Sequence, residues 1–230
     1  MENSLLKEFK TYGKIKTKEL NNIGNLNPTI ALLLISNGNI SFKETKTLKK
    51  LNRNKDNSVE TTNQILENLS IDKPNISVLK FIFHELIGNI YDHSEFNNAY
   101  IMGKSNFEYN EFSFIDDGIS IPTSLKNNGY AFKSDSQAIM NAINGLSTKN
   151  EFGYIERGTG LNNSTNIVTN GSNGSILIVS GTGLVHITKE NIIAQKIPKN
   201  CINGTLISMR MKLDEKIDIY KYLNQIKYEY

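Results

Sequence analysis

Glu85, Asn89 and Asp92 stand at i, i+4 and i+7 in the stretch HELIGNIYDHS, residues 84–94. On a helix these spacings put an acid, an amide and a second acid within about 60° of one another. An ordinary exposed face carries Lys and Glu in pairs, yet no lysine occurs between Lys80 and Lys104. Gly88 lies beside the same polar strip, and a glycine inside a helix costs up to about 1 kcal/mol relative to alanine. Close approach of another group to the backbone is one reason to keep it. Further along, Asp116 ends a run of strand character and Gly118 lets the chain turn behind it. A carboxylate so placed can accept a hydrogen bond from an exocyclic amine, although a plain Asp-Gly turn has the same signature. Gly158, Thr159 and Gly160 stand before a helical segment, where backbone N–H groups suit an anion such as phosphate. The hydroxyls of Ser147 and Thr148, next to Lys149, precede that loop, and Gly204 and Thr205 open the last strand.

The elements that must position these residues are clearest from residue 72 onward. Leu79, Phe83, Leu86, Ile87 and Ile90 form one apolar side of a helix over residues 75–93. AYIMGKS (99–105) and EFSFIDDG (111–118) read as two strands around a turn at 106–110. SDSQAIMNAINGL reads as a helix capped by Ser or Asp and closed by Gly145. GLNNSTNIVTNG reads as another, ending at Gly171. GSILIVSG, GLVHIT and GTLISMRM are three further strands. The tail from Asp214 is expected to be a helix with Ile217, Ile219, Tyr220 and Leu223 inward. This order predicts an α/β (α+β) two-layer sandwich, with helices over one face of a mixed, mostly antiparallel sheet.

Residues 1–71 are Lys- and Asn-rich and form an N-terminal region that could dock a partner. Within them, NPTIALLLIS is too short to assign as strand or helix, and FKETKTLKKLNRNKDNS reads as a solvated basic loop or helix face. SVETTNQILENLS fits a short amphipathic helix with Val59, Ile65, Leu66 and Leu69 on one side. The chain has 230 residues, 21% charged, with a net charge of +3, too weak to imply nucleic acid. No apolar run reaches the roughly 20 residues of a membrane-spanning helix, and MENSLLKEFK lacks a signal peptide's apolar stretch. A single cysteine, Cys201, rules out an internal disulfide. These features lead us to expect a cytoplasmic protein. No residues have zinc-ligand spacing. His84 reads as a surface histidine, His186 as structural, and Cys201 has no neighbour that would make it a nucleophile.

Taken in order, the motifs resemble those of the GHKL ATP-binding family, shared by gyrase, the ninety-kilodalton chaperone, histidine-kinase catalytic domains and mismatch-repair ATPases. ELIGN (85–89) resembles its N box, IDDGISI (115–121) its G1 box, RGTGL (157–161) its G2 box, and Gly204-Thr205 its last Gly-Thr pair. The resemblance spans residues 72–212, about three fifths of the chain. His93 falls where bacterial kinase-type members, anti-sigma-factor serine kinases among them, often have histidine. STK (147–149) resembles a subset of stand-alone bacterial and archaeal ATP-binding proteins. There are two departures. Ser120 replaces the second G1 glycine, and the G2 box continues Asn-Asn after Leu161.

The resemblance implies a Bergerat-type fold that binds ATP and Mg²⁺. Asp116 would accept from the adenine amine, supported by Thr205, with Gly118 and Ser120 shaping the turn. Asn89 would offer its amide oxygen to Mg²⁺. Glu85 would act as general base, and Asp92 would hold a metal-bound water or pair with a cation. Gly158, Gly160 and Leu161 would cradle the phosphates in a lid over residues 127–160, joined by Ser147 and Thr148. Lys149, then Arg157, would stabilise charge on the γ-phosphate. Three functions fit: an ATPase or ATP-gated switch acting on another protein or a second copy of the chain, a serine/threonine kinase of the anti-sigma type, or a non-catalytic nucleotide-binding module. The chain shows no helix pair carrying a phosphoacceptor histidine before the N box, which argues against a complete sensor kinase.

Overall fold

The computed structural model describes residues 5–12, 26–54, 57–69, 71, 73–146, 159–198, 201–223 and 228. Its centre is a seven-stranded sheet. The strands are β1 (Leu48–Lys50), β2 (Ala99–Ser105), β3 (Asn110–Asp116), β4 (Ser175–Ser180), β5 (Gly183–Thr188), β6 (Ile192–Lys196) and β7 (Thr205–Met211). Their order is β1-β2-β3-β7-β4-β5-β6, and every pairing is antiparallel rather than mixed. The last strand in the chain therefore lies at the middle of the sheet, between β3 and β4.

One face is covered by α3 (Ser58–Glu67), α4 (Lys73–His93), α6 (Asp135–Ile143) and α7 (Gly160–Asn166). The apolar side of α4 is seated as its periodicity demands. Leu79, Phe83, Leu86, Ile87 and Ile90 are all buried, and the Phe83 ring meets Phe112 and Phe114 edge-on at 5.3 and 4.9 Å. Ser134 caps α6 by accepting from Gln137 N–H, and Gly145 ends it in the left-handed region at φ 95°. α7 runs on into a π-helical turn over Ile167–Gly171.

To this sandwich α1 (Leu5–Tyr12) and α2 (Pro28–Ser36) add a partial layer on the opposite face. NPTIALLLIS is thus a helix, capped by Asn27 and buried nearly all round, which is why it showed no period. Beneath it the inner sheet residues are partly polar. Arg210 pairs with Glu111 and, at 2.5 Å, with Glu8 of α1, while its guanidinium lies 4.0 Å from the Tyr109 ring centre.

The basic run that read as a solvated loop or helix face supplies β1, where Leu48 is buried against the second layer. In α3, Ile65 and Leu66 are buried but Val59 is 63% exposed. The tail is not a helix among its described residues. Only a 3-10 turn forms, at Ile219–Lys221, with Ile217 buried and Tyr220 exposed. Asn75 fixes this segment instead, donating to the carbonyls of Leu213 and Glu215 and accepting from Ile217 N–H.

Candidate functional site

Between α4, the C-terminal end of β3, α6, α7 and the helix that follows β3 lies a cavity of about 400 Å³. α5 (Ile121–Asn127) follows directly on the turn after β3. Glu85, Gly88, Asn89 and Asp92 line one wall of the cavity, so the polar strip of α4 faces it along two turns. A Cβ at Gly88 would meet no protein atom within 4 Å. Nothing in the fold requires glycine there, and what its absent side chain leaves is room in the cavity. Leu86 and Ile90 do double duty, buried in the core and also part of the cavity surface. His84 is exposed and sits at the rim, and His93 also lines the cavity.

Asp116 forms the floor and is 3% exposed. In the register of β3, β7 and β4 it stands directly opposite Thr205, which stands opposite Ser180. Three side chains thus form one row across three strands. The hydroxyls of Ser180 and Thr205 are 2.8 Å apart, and Ser180 also accepts from Ile121 N–H at 2.9 Å. Burial raises the Asp116 carboxyl to about 7, and adjacent Asp117 adds to this. Hydrogen bonds from the Gly118 N–H, the Ser94 hydroxyl and the Thr205 N–H pull the other way.

The loop after β3 is clamped to the end of α4. Ile119 N–H donates to Ser94 O. A Cβ at Gly118 would overlap that same carbonyl, so the close approach requires glycine. Asp117 accepts from the N–H groups of Asn97 and Asn98 and from the Asn98 side chain, each at 2.8 Å. Its burial alone would raise the carboxyl, but these bonds outweigh it and hold it below the usual range. Ser120 is not among the residues that line the cavity and caps α5 by accepting from Thr123 N–H. Its φ of −68° is open to any residue, so the serine in place of glycine costs this turn nothing.

Across the cavity α7 begins at Gly160, and a Cβ there would overlap the Glu85 carboxylate. Leu161 and Thr159 complete that wall. Glu85, Asn89, Asp92, Asp116, Gly160, Leu161 and Thr205 are therefore brought together, and Gly118 buttresses them. Ser147, Thr148, Lys149, Arg157 and Gly158 lie outside the described residues, as does the stretch 147–158 of the expected lid. Its described part before that stretch, residues 127–146, starts at the last residue of α5 and contains α6. No Lys or Arg lines the cavity among the described residues.

Ser94, Asp117 and Ser180 were not singled out in the sequence. Their roles come from strand register and the meeting of a helix end with a distant loop, which local spacing does not encode. His186 is buried, with Nε2 lacking a hydrogen-bond partner. Burial, then Arg210, lowers it to about 4, so it is neutral and structural. Among the described residues no three His, Cys, Asp or Glu side chains gather to hold a metal, and no helix is long and apolar enough to cross a membrane. No protein-family model matches the chain, and a search of curated proteins returns no match.

Proposed function

We propose that this chain is a cytoplasmic, Mg²⁺-dependent ATP-binding protein of the GHKL type with a Bergerat-type fold, working as an ATPase or ATP-gated switch. The observation that carries the reading is the pairing of a buried carboxylate, Asp116, on the cavity floor with an acid-amide-acid strip, Glu85, Asn89 and Asp92, along one wall. Asp116 and Thr205 would read the base. The apolar surface of Ile90, Phe114, Ile119 and Leu125 suits the flat sides of a purine.

The donor set fits a small hard cation. Asn89 supplies one neutral oxygen, and magnesium keeps waters and phosphate oxygens for the rest. When bound, the ion would neutralise charge on the phosphates. Glu85, one turn before Asn89, would orient the attacking water as base, with the start of α7 at Gly160 close beside its carboxylate. An intact acid at this place favours hydrolysis over mere binding.

The test is to incubate the protein with radiolabelled ATP and Mg²⁺. Phosphate release that falls by about 100-fold or more in Glu85→Ala, with ATP binding retained, supports the reading. Label passing to a second protein points to the serine/threonine kinase instead. ATP affinity unchanged in Asp116→Asn overturns the nucleotide reading altogether.

A further inference from the structure

Glu85 sits between two glycines that leave very different surroundings. On one flank is Gly160 at the start of α7, where a Cβ would overlap the Glu85 carboxylate. The two are in contact and that flank is closed. On the other is Gly88, about one turn further along α4, where a Cβ would meet no protein atom within 4 Å. Side chains on a helix lean toward its N-terminus. A side chain at position 88 would therefore lie over residues 84 and 85, along the open flank of the carboxylate. His84, Gly88 and Asp92 form one i, i+4, i+8 ridge of the helix. All three line the cavity, and both ends of the ridge are exposed, while Glu85 and Asn89 are half-buried. The ridge is thus the cavity's edge, and Gly88 is a notch in it. The Cα atoms on either side of the notch are about 12 Å apart, which is room for a water and its neighbours. The fold gives no reason for the notch. Gly88 is not in the left-handed region, and nothing presses on the place of its missing side chain.

We infer that Gly88 sets the approach to Glu85: the attacking water reaches the carboxylate over this glycine, and the missing side chain keeps that path open once a nucleotide fills the cavity. The inference rests on the hydrolytic reading above. In that reaction the water oxygen bonds to the γ-phosphorus while the bond from phosphorus to the bridging oxygen breaks. The water proton passes to Glu85, and ADP leaves with the electron pair. With nucleotide in the interior, water cannot come from there, and the α7 flank is closed by Gly160. The notch is the remaining side of the carboxylate among the described residues. Gly88 touches no reacting atom and acts only by leaving Glu85 accessible. A side chain here therefore lowers turnover rather than nucleotide affinity.

The experiment compares wild type, Gly88→Ala and Gly88→Leu by three measurements: thermal unfolding, steady-state phosphate release from ATP with Mg²⁺, and calorimetric affinity for a non-hydrolysable ATP analogue. Alanine removes the helix penalty and adds one methyl group. Its unfolding midpoint should rise by about 2–4 °C, and its kcat should fall about threefold. Leucine leans over Glu85, so its kcat should fall about 100-fold while analogue affinity stays within about threefold of wild type. Affinity falling in step with kcat would mean that the nucleotide itself occupies the notch, and overturns the inference. So does a lower midpoint in Gly88→Ala, which would show that the fold needs the glycine. Gly88→Leu with the wild-type kcat overturns the inference while leaving the hydrolytic reading intact. Wild type that releases no phosphate overturns that reading and this inference with it. If Gly88→Leu does not fold, Gly88→Ala decides: a raised midpoint with reduced kcat supports the path, and a wild-type kcat overturns it.

Discussion

Asp116 shows what it takes to keep a carboxylate at the bottom of a cavity. Its folded-state value lies above the ordinary 3.8, at about 7. The folded chain therefore holds the proton more tightly than the unfolded chain. The associated stability is fully present below about pH 3.8 and is lost as pH rises to about 7, a change on the order of 4 kcal/mol. Asp116→Asn removes this dependence. In denaturant titrations at mildly acidic and mildly alkaline pH, wild type should lose stability between the two and the variant should lose much less. On the proposed function the same substitution should abolish tight nucleotide binding, so one change would make the protein sturdier above neutral pH and deprive it of the proposed ligand.

Among the elements, α7 is the one whose start is fixed by a single missing carbon. Gly160→Ala puts a methyl group into the Glu85 carboxylate. Either α7 backs away or Glu85 turns, and both displace the proposed base. We expect the rate of ATP hydrolysis to fall about tenfold or more, with ATP affinity changed less, as measured by steady-state phosphate release. The elements also show where the sequence was informative. α4 and α6 were legible because one side of each is apolar and the other is not. The strip of Glu85, Asn89 and Asp92 was legible for the same reason. α2 was not, because it is apolar on every side. β1 was not, because three residues at a sheet edge offer no alternation to read, and the surrounding lysines have the composition of a solvated segment. The tail misled in the opposite direction. Ile217, Ile219 and Leu223 do turn toward the core, but they do so from irregular backbone anchored by Asn75.

The molecule as a whole is organised around strands β3 and β7, which carry the floor of the cavity on one face and the N-terminal layer on the other. Ile115 and Leu206, the neighbours of Asp116 and Thr205, are packed in that second layer. Arg210 ties it down through Glu111 and Glu8, with Asn27 donating to both carboxylates. Arg210→Met leaves two acids near each other in a buried place without their cation. It should cost about 3–5 kcal/mol in chemical denaturation. Replacing Glu8, Glu111 and Arg210 together by apolar residues should recover most of that loss. A reading of residues 1–71 as a separate unit would predict no such effect on the sheet.

One consequence concerns length rather than chemistry. Glu85 and Ser94 are nine positions apart on α4 and the residue that ends it, a rise of about 13 Å. On the proposed function the first faces the phosphate end of the cavity and the second the corner beside Asp116, so a rigid rod rather than a loop would gauge a nucleotide between them. Loops on the open side can lengthen or shorten without changing that gauge. One residue inserted between Ile90 and Ser94 would reset it by about 1.5 Å and swing Ser94 by about 100°. Drift in sequence should therefore be tolerated in the loops around this cavity other than the clamped one after β3, while the count of residues along α4 is held fixed.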